Sequence, residues 1–355
     1  MLDVLVAILA VVAVFAVLII GHELGHFISA RAFGIRVDEF GLGYPPRLWG
    51  IKRGRTLYSL NALPLGGFVK IAGQEDIEEP DGLAGKGIGT RLIVLSAGVI
   101  VNALLPVIFF SIAFMIPVDV SFGKVLVEDV ATNSPAQMAG IQTGDTILAI
   151  NGNEVRNTGE LSRSIQLKLG QDIDVLIEHS DQTTEEVTAL ARWQPPAGEG
   201  AIGVTVTTTD ITTVTQSESF WRAIPQGIQQ LGETFVLFKN AIIGLFIGTS
   251  SLEVGGPVAI AQLTGEFAQA GPGPLLQFAG FLSINFAILN ILPLPALDGG
   301  RMVFVLLEWV RRGKRISAKR EGMVHLIGFA LLMALIVAIT YQDIIRIISG
   351  DSLGP

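Results

Sequence analysis

The sequence predicts an α-helical membrane protein that carries a soluble α+β insert, and three observations support this fold class. Half of the 355 residues are hydrophobic and only 16% are charged, whereas soluble domains carry about 25% charged residues. Apolar segments of at least the ~20 residues that a membrane span requires recur along the chain. Between two of these segments lies a stretch of short, alternating strands, which indicates a folded domain outside the membrane.

Four transmembrane helices are predicted from the apolar segments. The third segment contains Pro293 and Pro295, which remove backbone donors and therefore predict a broken helix. Broken helices at membrane depth are tolerated where they line a site. The predicted spans are 1–32, 91–117, 274–312 and 322–349.

The distribution of Lys and Arg predicts the orientation of these spans. Residues 31–91 hold nine of the 24 and residues 301–320 hold seven, whereas 118–219 holds five against fifteen Asp and Glu. Because basic loops stay cytoplasmic, we expect both termini and the insert outside and 33–90 inside. A fifth span at 228–248 would move the second basic cluster outside. We therefore expect this moderately apolar stretch at the membrane interface or against the helix bundle.

The insert, residues 121–208, combines alternating strands with a helix candidate at 159–169 whose cap lies at 157–158. Within the insert, the segment 133–155 resembles the PDZ domains of bacterial proteases; its sequence is NSPAQMAGIQTGDTILAINGNEV. Such domains bind extended peptides by adding a strand to a sheet edge. A purely structural β-domain is the alternative. Under either interpretation the Asn-Gly pair at 151–152 predicts a hairpin turn.

The run LIIGHELGHFISARAFG, 18–34, places the pattern H-E-x-x-H at the end of an apolar segment. His22 and His26 are four residues apart, so they share one face of a helix and together can hold Zn²⁺. Glu23 beside them can polarise a zinc-bound water and take its proton. The pattern also arises by chance, with the histidines at a helix end. Ionisable groups in apolar sequence are costly, however, and usually functional.

A catalytic zinc takes three protein ligands and keeps one position open. The chain has four His and no Cys, which excludes thiolate ligands. His179 lies in the insert, and His325 begins the last span, where an interfacial helix residue is the simpler role. Asp298 is the better candidate, because a carboxylate at the end of a proline-broken apolar segment is energetically costly and has no evident structural role that would offset the cost. It is also expected at a depth similar to that of the H-E-x-x-H pair.

Together these features resemble the site-2 protease family, and more narrowly the RseP-type membrane zinc metalloproteases of bacteria, here with one PDZ domain. The resemblance rests on H-E-x-x-H in the first span, the PDZ-like insert after the second, and N-x-x-P-x-P-x-L-D-G at 290–299. Further matches are LPLGGFVKIAG (63–73), AGVIVNALL (97–105) and GGPVAIAQ (255–262). Better-known members of the family have two PDZ domains. Regulation is therefore the family property that can least be carried over to this chain.

The resemblance implies a catalytic core of three transmembrane helices that hydrolyses peptide bonds within the membrane. The two motif histidines, His22 and His26, and Asp298 would hold one Zn²⁺, with Glu23 as the general base. Substrate contacts are implied for two asparagines, which are otherwise a helix cap at 290 and a helix-packing contact at 102. The substrate-binding residues so implied are Gly66, Gly67, Phe68, Asn102, Asn290, Pro293 and Pro295.

The resemblance also implies the remaining organisation. A membrane-associated β-hairpin lies in the cytoplasmic-side loop 33–90, the extracytoplasmic PDZ domain at 121–208, and an amphipathic gating segment at 217–273. The implied substrates are single-pass membrane proteins, such as anti-sigma factors or remnant signal peptides, already cut by a site-1 protease. We expect a peptide ligand for the PDZ domain, contact with the lipid bilayer and no nucleic acid. The implied location is the bacterial inner (plasma) membrane, with the active site toward the cytoplasm.

Two other classes of function explain part of the sequence. A membrane scaffold would bind peptides through its PDZ domain without activity, but the intact Glu23 argues against it. A transporter would explain the broken helix. However, no inverted repeat is visible between the two halves, and transport does not need H-E-x-x-H.

Overall fold

The computed structural model describes residues 2–74, 79, 81–249 and 255–349, with the backbone alone at 2–4, 64 and 65. The chain divides into two units, one formed by Met1–Ala113 with Val254–Pro355 and the other by Phe114–Glu253. In chain order the elements are α1 (Leu2–Ala32), β1 (Val37–Arg53), β2 (Thr56–Ile71), α2 (Ile88–Met115), β3 (Val118–Val130), α3 (Pro135–Met138), β4 (Thr146–Ile150), β5 (Asn153–Glu154), α4 (Thr158–Gln166), β6 (Asp172–Glu178), β7 (Thr184–Leu190), β8 (Val204–Gln216), α5 (Phe220–Ile247), α6 (Pro257–Ala270), α7 (Pro272–Ile291), α8 (Asp298–Val310) and α9 (Ala318–Ser349).

Long apolar helices form most of the first unit. Helices α1, α2 and α7 meet in one buried apolar cluster, to which they contribute Leu18, Phe109 and Leu282 respectively. In a bilayer such helices associate through close packing rather than through the hydrophobic effect. The cluster thus brings the first, second and third predicted spans side by side.

The third apolar segment is divided in two, as its prolines predict. Helix α7 ends at Ile291 and α8 begins at Asp298. The connection contains Pro293 and Pro295, which have no N–H to donate. It also contains Ala296, whose φ of 76° lies in the left-handed region. The chain therefore turns sharply before it enters α8.

Two glycines allow α8 to begin close to this turn. A Cβ on Gly299 would lie 2.2 Å from the backbone oxygen of Leu292, and one on Gly300 would lie 2.2 Å from that of Leu294. Any other residue would push the start of α8 away from the connection. The pair Gly299-Gly300 is therefore required for the sharp turn before α8.

Strands β1 and β2 form an antiparallel hairpin whose register shifts repeatedly. The first part of β1 pairs on one side with the end of β2 and on the other side with its beginning. Gly41, for example, lies opposite both Phe68 and Ser59. In the described part of the chain no further strand joins this sheet. The stretch 67–71 of β2 is therefore an edge strand with one side unpaired.

The second unit is built on an antiparallel sheet with strand order β7-β6-β4-β3-β8, and β5 pairs with β4. Leu161 of α4 is buried in the apolar core of this unit. The side chain of Asn157 caps α4 by accepting a hydrogen bond from the Glu160 N–H at 2.9 Å. Asn151 and Gly152 join β4 to β5 with φ values of 48° and 74°, as a type I′ turn requires. The predicted cap position and hairpin turn are thus confirmed.

Helix α5 presents polar side chains to α4 within the second unit. Arg163 donates two hydrogen bonds to Oε2 of Glu233, from Nε at 2.9 Å and from Nη2 at 2.6 Å. Asn240 donates to the backbone oxygen of Gln166 at 2.7 Å. One side of this helix is therefore suited to protein contact rather than to lipid.

Five of the described helices are long and apolar enough to cross a membrane: α1, α2, α5, α7 and α9. Four of them overlap the predicted spans, although α7 covers only the first part of the predicted span 274–312. The other, α5, is the least apolar of the five and contains the stretch 228–248 that the charge pattern excludes from spanning. The structure is that of a membrane protein with a β-sheet region, and the four-span topology stays a prediction.

Candidate metal centre

Helix α1 places its two motif histidines on one face, and α8 brings a carboxylate to the same point. The Nε2 atoms of His22 and His26 lie 3.2 Å apart, and Oδ2 of Asp298 lies 3.0 Å and 3.1 Å from them. Ligands at ~2.0–2.1 Å from a tetrahedral Zn²⁺ are about 3.3 Å from one another. The three atoms thus form one face of a tetrahedron of nearly the right size. Among the residues that the structure describes, this is the one group of metal-ligating side chains so arranged.

The hydrogen bonds of His26 indicate that this cluster requires a cation. Nδ1 of His26 lies 2.8 Å from the backbone oxygen of Val94, which can only accept, so Nδ1 carries the proton. Nε2 therefore presents a lone pair to the Asp298 carboxylate and to the second imidazole. Such donors repel one another unless a metal ion or protons lie between them. A carbonyl partner on the far nitrogen is also usual for a ligating histidine, so these residues fit Zn²⁺.

Two glycines let α1 and α2 approach closely at the cluster. A Cβ on Gly98 would lie 2.5 Å from Nε2 of His26 and 2.7 Å from Cε1 of His22. A Cβ on Gly25 would lie 2.5 Å from the backbone oxygen of Ala97. A side chain at position 98 would therefore displace the imidazoles. The sequence analysis included Gly98 only within the matching stretch AGVIVNALL, 97–105, and did not predict this close approach.

The edge strand of the hairpin passes beside Glu23. A Cβ on Gly67 of β2 would lie 3.5 Å from Cγ of Glu23. Gly66 has a φ of 135°, a conformation that favours glycine. Gly67 therefore lies next to the predicted base, with Gly66 and Phe68 on either side of it in the chain.

Comparison with known proteins agrees with this geometry. Residues 10–335 match the model of peptidase family M50. A Clostridium perfringens protein named "Putative zinc metalloprotease" is 36% identical, over 93% of this chain and 96% of its own. The zinc metalloprotease RasP of Geobacillus kaustophilus is 30% identical, over 97% and 99% of the two chains. The chloroplastic membrane metalloprotease ARASP of Arabidopsis thaliana is 33% identical, over 95% of this chain and 78% of its own.

The chain belongs to peptidase family M50. The predicted membership of the site-2 protease family is thereby confirmed, proteins named RasP are among the homologues, and this M50 peptidase is a membrane metalloprotease. The names of its relatives give zinc as the metal.

The predicted substrate residues outside the hairpin differ in their surroundings. Asn102 is fully buried, and neither its Oδ1 nor its Nδ2 has a hydrogen-bond partner among the described residues. A buried, unpaired amide costs about 1–3 kcal/mol. Asn290 instead donates to the backbone oxygen of Phe286 at 3.0 Å, within its own helix. Pro293 is exposed and Pro295 half-buried, both in the connection before α8.

The two remaining histidines of the M50 peptidase have other partners. Nδ1 of His325 accepts a hydrogen bond from the Ala296 N–H at 2.9 Å. In the second unit, His179 contacts Oδ1 of Asp145 at 2.9 Å and Oε2 of Glu185 at 3.2 Å. Hydrogen bonds to Asp145 and then to Glu185 raise the pKa of His179 above its ordinary value. Neither histidine belongs to the three-atom cluster, which leaves Asp298 as the third member.

Proposed function

We propose that this M50 peptidase hydrolyses peptide bonds within the membrane-spanning segments of single-pass proteins. One Zn²⁺ would be held by His22, His26 and Asp298. The observation that carries the proposal is the convergence of three lone-pair donors next to Glu23 and next to an unpaired strand edge. A scaffold or a transporter would not need these three features in one place.

The chemistry divides between the metal and Glu23. When bound, the metal supplies Lewis acidity to a water and to the scissile carbonyl at the position that the protein leaves open. Glu23 takes the proton of the attacking water and delivers it to the leaving amine. Gly67 of the edge strand lies against the Glu23 side chain.

Substrate presentation is assigned to the edge strand 67–71. A peptide bond in a membrane helix is shielded by the hydrogen bonds of that helix, so cleavage requires an extended segment. An unwound segment would pair with the free side of β2, as peptides pair with sheet edges elsewhere. Gly66 and Gly67 leave the backbone open to such an approach. Asn102 lies one helical turn beyond Gly98, and its unpaired amide would bond to the substrate backbone; Asn290, Pro293 and Pro295 would line the same path.

The surface of the hairpin supports its association with the membrane. Its side chains Tyr44, Leu48, Trp49, Leu60 and Leu63 are 47% to 68% exposed. Soluble surfaces rarely gather large apolar groups in this way, and aromatic residues favour the membrane interface. With the basic residues of 31–91, this supports our proposal that the hairpin and the active site lie on the cytoplasmic side.

The second unit is proposed to be an extracytoplasmic PDZ domain. The resemblance of 133–155 to such domains, and the antiparallel sheet with α4, support this assignment. It would bind a peptide and hold back substrates until a site-1 protease has removed their outer domains. The contacts of α5 with α4 support an interfacial position for α5, and hence four spans with both termini outside.

The deciding experiment pairs zinc content with cleavage. Wild type, Glu23→Gln and His22→Ala are purified in detergent, their metal is quantified, and each is incubated with a model single-span substrate without an outer domain. We expect about one zinc in wild type and Glu23→Gln, none in His22→Ala, and cleavage within the span by wild type alone. A matched control, His179→Ala, should keep both zinc and activity.

The other outcomes are equally informative. If wild type holds zinc but cleaves none of the membrane spans tested, the proposal of intramembrane proteolysis is wrong and a membrane scaffold becomes the favoured function. If wild type binds no zinc, the ligand assignment itself is wrong.

A further inference from the structure

Helix α9 contacts the broken segment before Asp298 at one small patch. The Ala296 N–H donates a hydrogen bond to Nδ1 of His325 at 2.9 Å. One turn along α9, Gly328 packs so closely on Pro295 that a Cβ there would lie 2.2 Å from the Pro295 Cβ. Positions i and i+3 share a helix face. Helix α9 therefore makes two contacts with consecutive residues of the connection. His325 accepts a hydrogen bond from Ala296, and Gly328 leaves the room that Pro295 occupies.

The residue held by this patch has an unusual backbone conformation. Ala296 has a φ of 76°, which L-residues other than Asn and Asp rarely adopt. Such a conformation persists only where the surroundings determine it strongly. Pro295 before it has no N–H, and the Leu297 N–H is bonded to Leu294 within the connection. The hydrogen bond to His325 therefore joins Ala296 directly to α9.

The geometry of Asp298 depends on this connection. Asp298 is the first residue of α8, and Leu297, at the cap position, makes no side-chain cap hydrogen bond. The ring of Phe304, on the next turns of α8, lies 5.3 Å from the His325 ring. His325 thus contacts elements on both sides of Asp298 without touching it.

A second polar contact on α9 lies far from the metal cluster. Asp343 accepts a hydrogen bond from the Ala259 N–H at 3.0 Å, at the start of α6. It is the one buried residue of α9, and a Cβ on Gly256 would lie 2.6 Å from its Oδ2. Asp343 therefore serves as an internal control, because it anchors the same helix without contact to the connection.

We infer that His325 is a positioning residue that holds the Asp298 segment in place through Ala296, with Gly328 as its steric counterpart. It thereby sets the affinity of the metal centre. His325 is not itself a ligand, since its Nδ1 is occupied by the Ala296 N–H and Asp298 completes the cluster. The inference rests on the proposed ligand set His22, His26 and Asp298.

The test measures zinc affinity by competition with a soluble chelator, on full-length protein in detergent. His325→Ala removes the acceptor, and we expect the affinity to fall about tenfold, the lower end of the loss seen when outer contacts of a metal site are removed. His325→Asn offers Oδ1 to the same N–H and should recover most of the affinity. Gly328→Ala drives a Cβ into Pro295 and should lower the affinity without touching the hydrogen bond.

Controls separate this inference from the proposed function. Asp343→Ala should lower the thermal stability and leave the affinity at the wild-type value. Wild type must bind zinc and His22→Ala must lose it, and failure there contradicts the ligand set rather than the role of His325. With those controls in order, wild-type affinity in both His325→Ala and Gly328→Ala would overturn the inference. An equal loss of affinity in Asp343→Ala would also overturn it, because the effect would then belong to α9 as a whole.

Discussion

The molecule contains a cluster of histidine and carboxylate groups in each of its two units, and the two clusters are bonded differently. In the first unit, two imidazole nitrogens of the H-E-x-x-H motif face a single carboxylate oxygen of Asp298, at 3.0 Å and 3.1 Å. In the second, the two ring nitrogens of His179 meet separate carboxylates, those of Asp145 and Glu185. The first cluster therefore brings lone pairs together. In the second, each carboxylate has its own N–H donor on His179 when the ring is protonated.

This difference shows how a metal site can be distinguished from a structural ion pair when both use the same residue types. A structural cluster is satisfied within the protein, apart from a proton that the imidazole takes from water. A metal cluster instead leaves its lone pairs without a donor in the protein. Asn102, one helical turn along α2 from Gly98, has both amide atoms unpaired among the described residues, whereas most buried polar groups are bonded.

The largest expected effect comes from a substitution that disrupts the first cluster and leaves the second intact. Asp298→Ala removes one of the three proposed ligands, and we expect the zinc affinity to fall by more than the ~10–100-fold that an outer contact costs. Cleavage should become undetectable. His179→Ala, the matched change in the second cluster, should leave both unchanged. Zinc content after dialysis measures the comparison, and retention of zinc by Asp298→Ala would contradict the ligand assignment.

The next effect concerns the glycine that makes room for the first cluster. Gly98→Ala places a Cβ 2.5 Å from Nε2 of His26, so the imidazoles must move. We expect zinc affinity and cleavage each to fall by about 10-fold or more. Gly89→Ala is the matched control, because it lies on the same helix and a Cβ there meets nothing within 4 Å. If the two variants behave alike, close packing at position 98 does not matter to the metal.

A third prediction separates substrate presentation from metal binding. Gly66→Pro is incompatible with the φ of 135° at that position, because proline fixes φ near −65°. It should distort the edge strand beside Glu23 and reduce cleavage of a single-span substrate at least several-fold. The zinc content should equal that of wild type, since no ligand lies on β2. Cleavage at the wild-type rate would refute strand pairing as the means of presentation.

The first cluster shows what local rules can predict. Two histidines four residues apart on a helix must share a face, so their meeting follows from the sequence alone. Asp298 could be chosen because prolines nearby break an apolar helix and leave a carboxylate with no structural use. The cap at Asn157 and the turn at 151–152 follow in the same way from residues next to each other in the chain.

The contacts that sequence reasoning missed join residues far apart. The approach of Gly98 to the histidines depends on how α1 and α2 cross, and a glycine in an apolar helix has many uses. The contact between Gly67 and Glu23 depends on the shifting register of the hairpin. His325 was expected to lie at the membrane interface, and its bond to Ala296 depends on the packing of α9 against a turn. Such contacts are fixed by tertiary packing, which no local pattern encodes.

The smallest expected effect concerns the second cluster and follows from the direction of one pKa shift. The carboxylates of Asp145 and Glu185 raise the pKa of His179 above its ordinary value. A group whose pKa is higher in the folded than in the unfolded state stabilises the fold fully below the unfolded pKa, about 6.5. That contribution is lost as the pH rises through the folded pKa. Thermal unfolding of the full-length protein should therefore show a melting temperature that declines slightly as the pH rises above about 6.5.

His179→Gln removes the titrating group and should flatten this dependence, while the zinc content stays that of wild type. The effect is small because His179 is partly exposed and solvent screens its ion pairs. An unchanged slope in the variant would show that other groups govern the pH response. A loss of zinc from the variant would show that the two clusters are coupled, against the distinction between a cluster that needs a metal and one that needs only a proton.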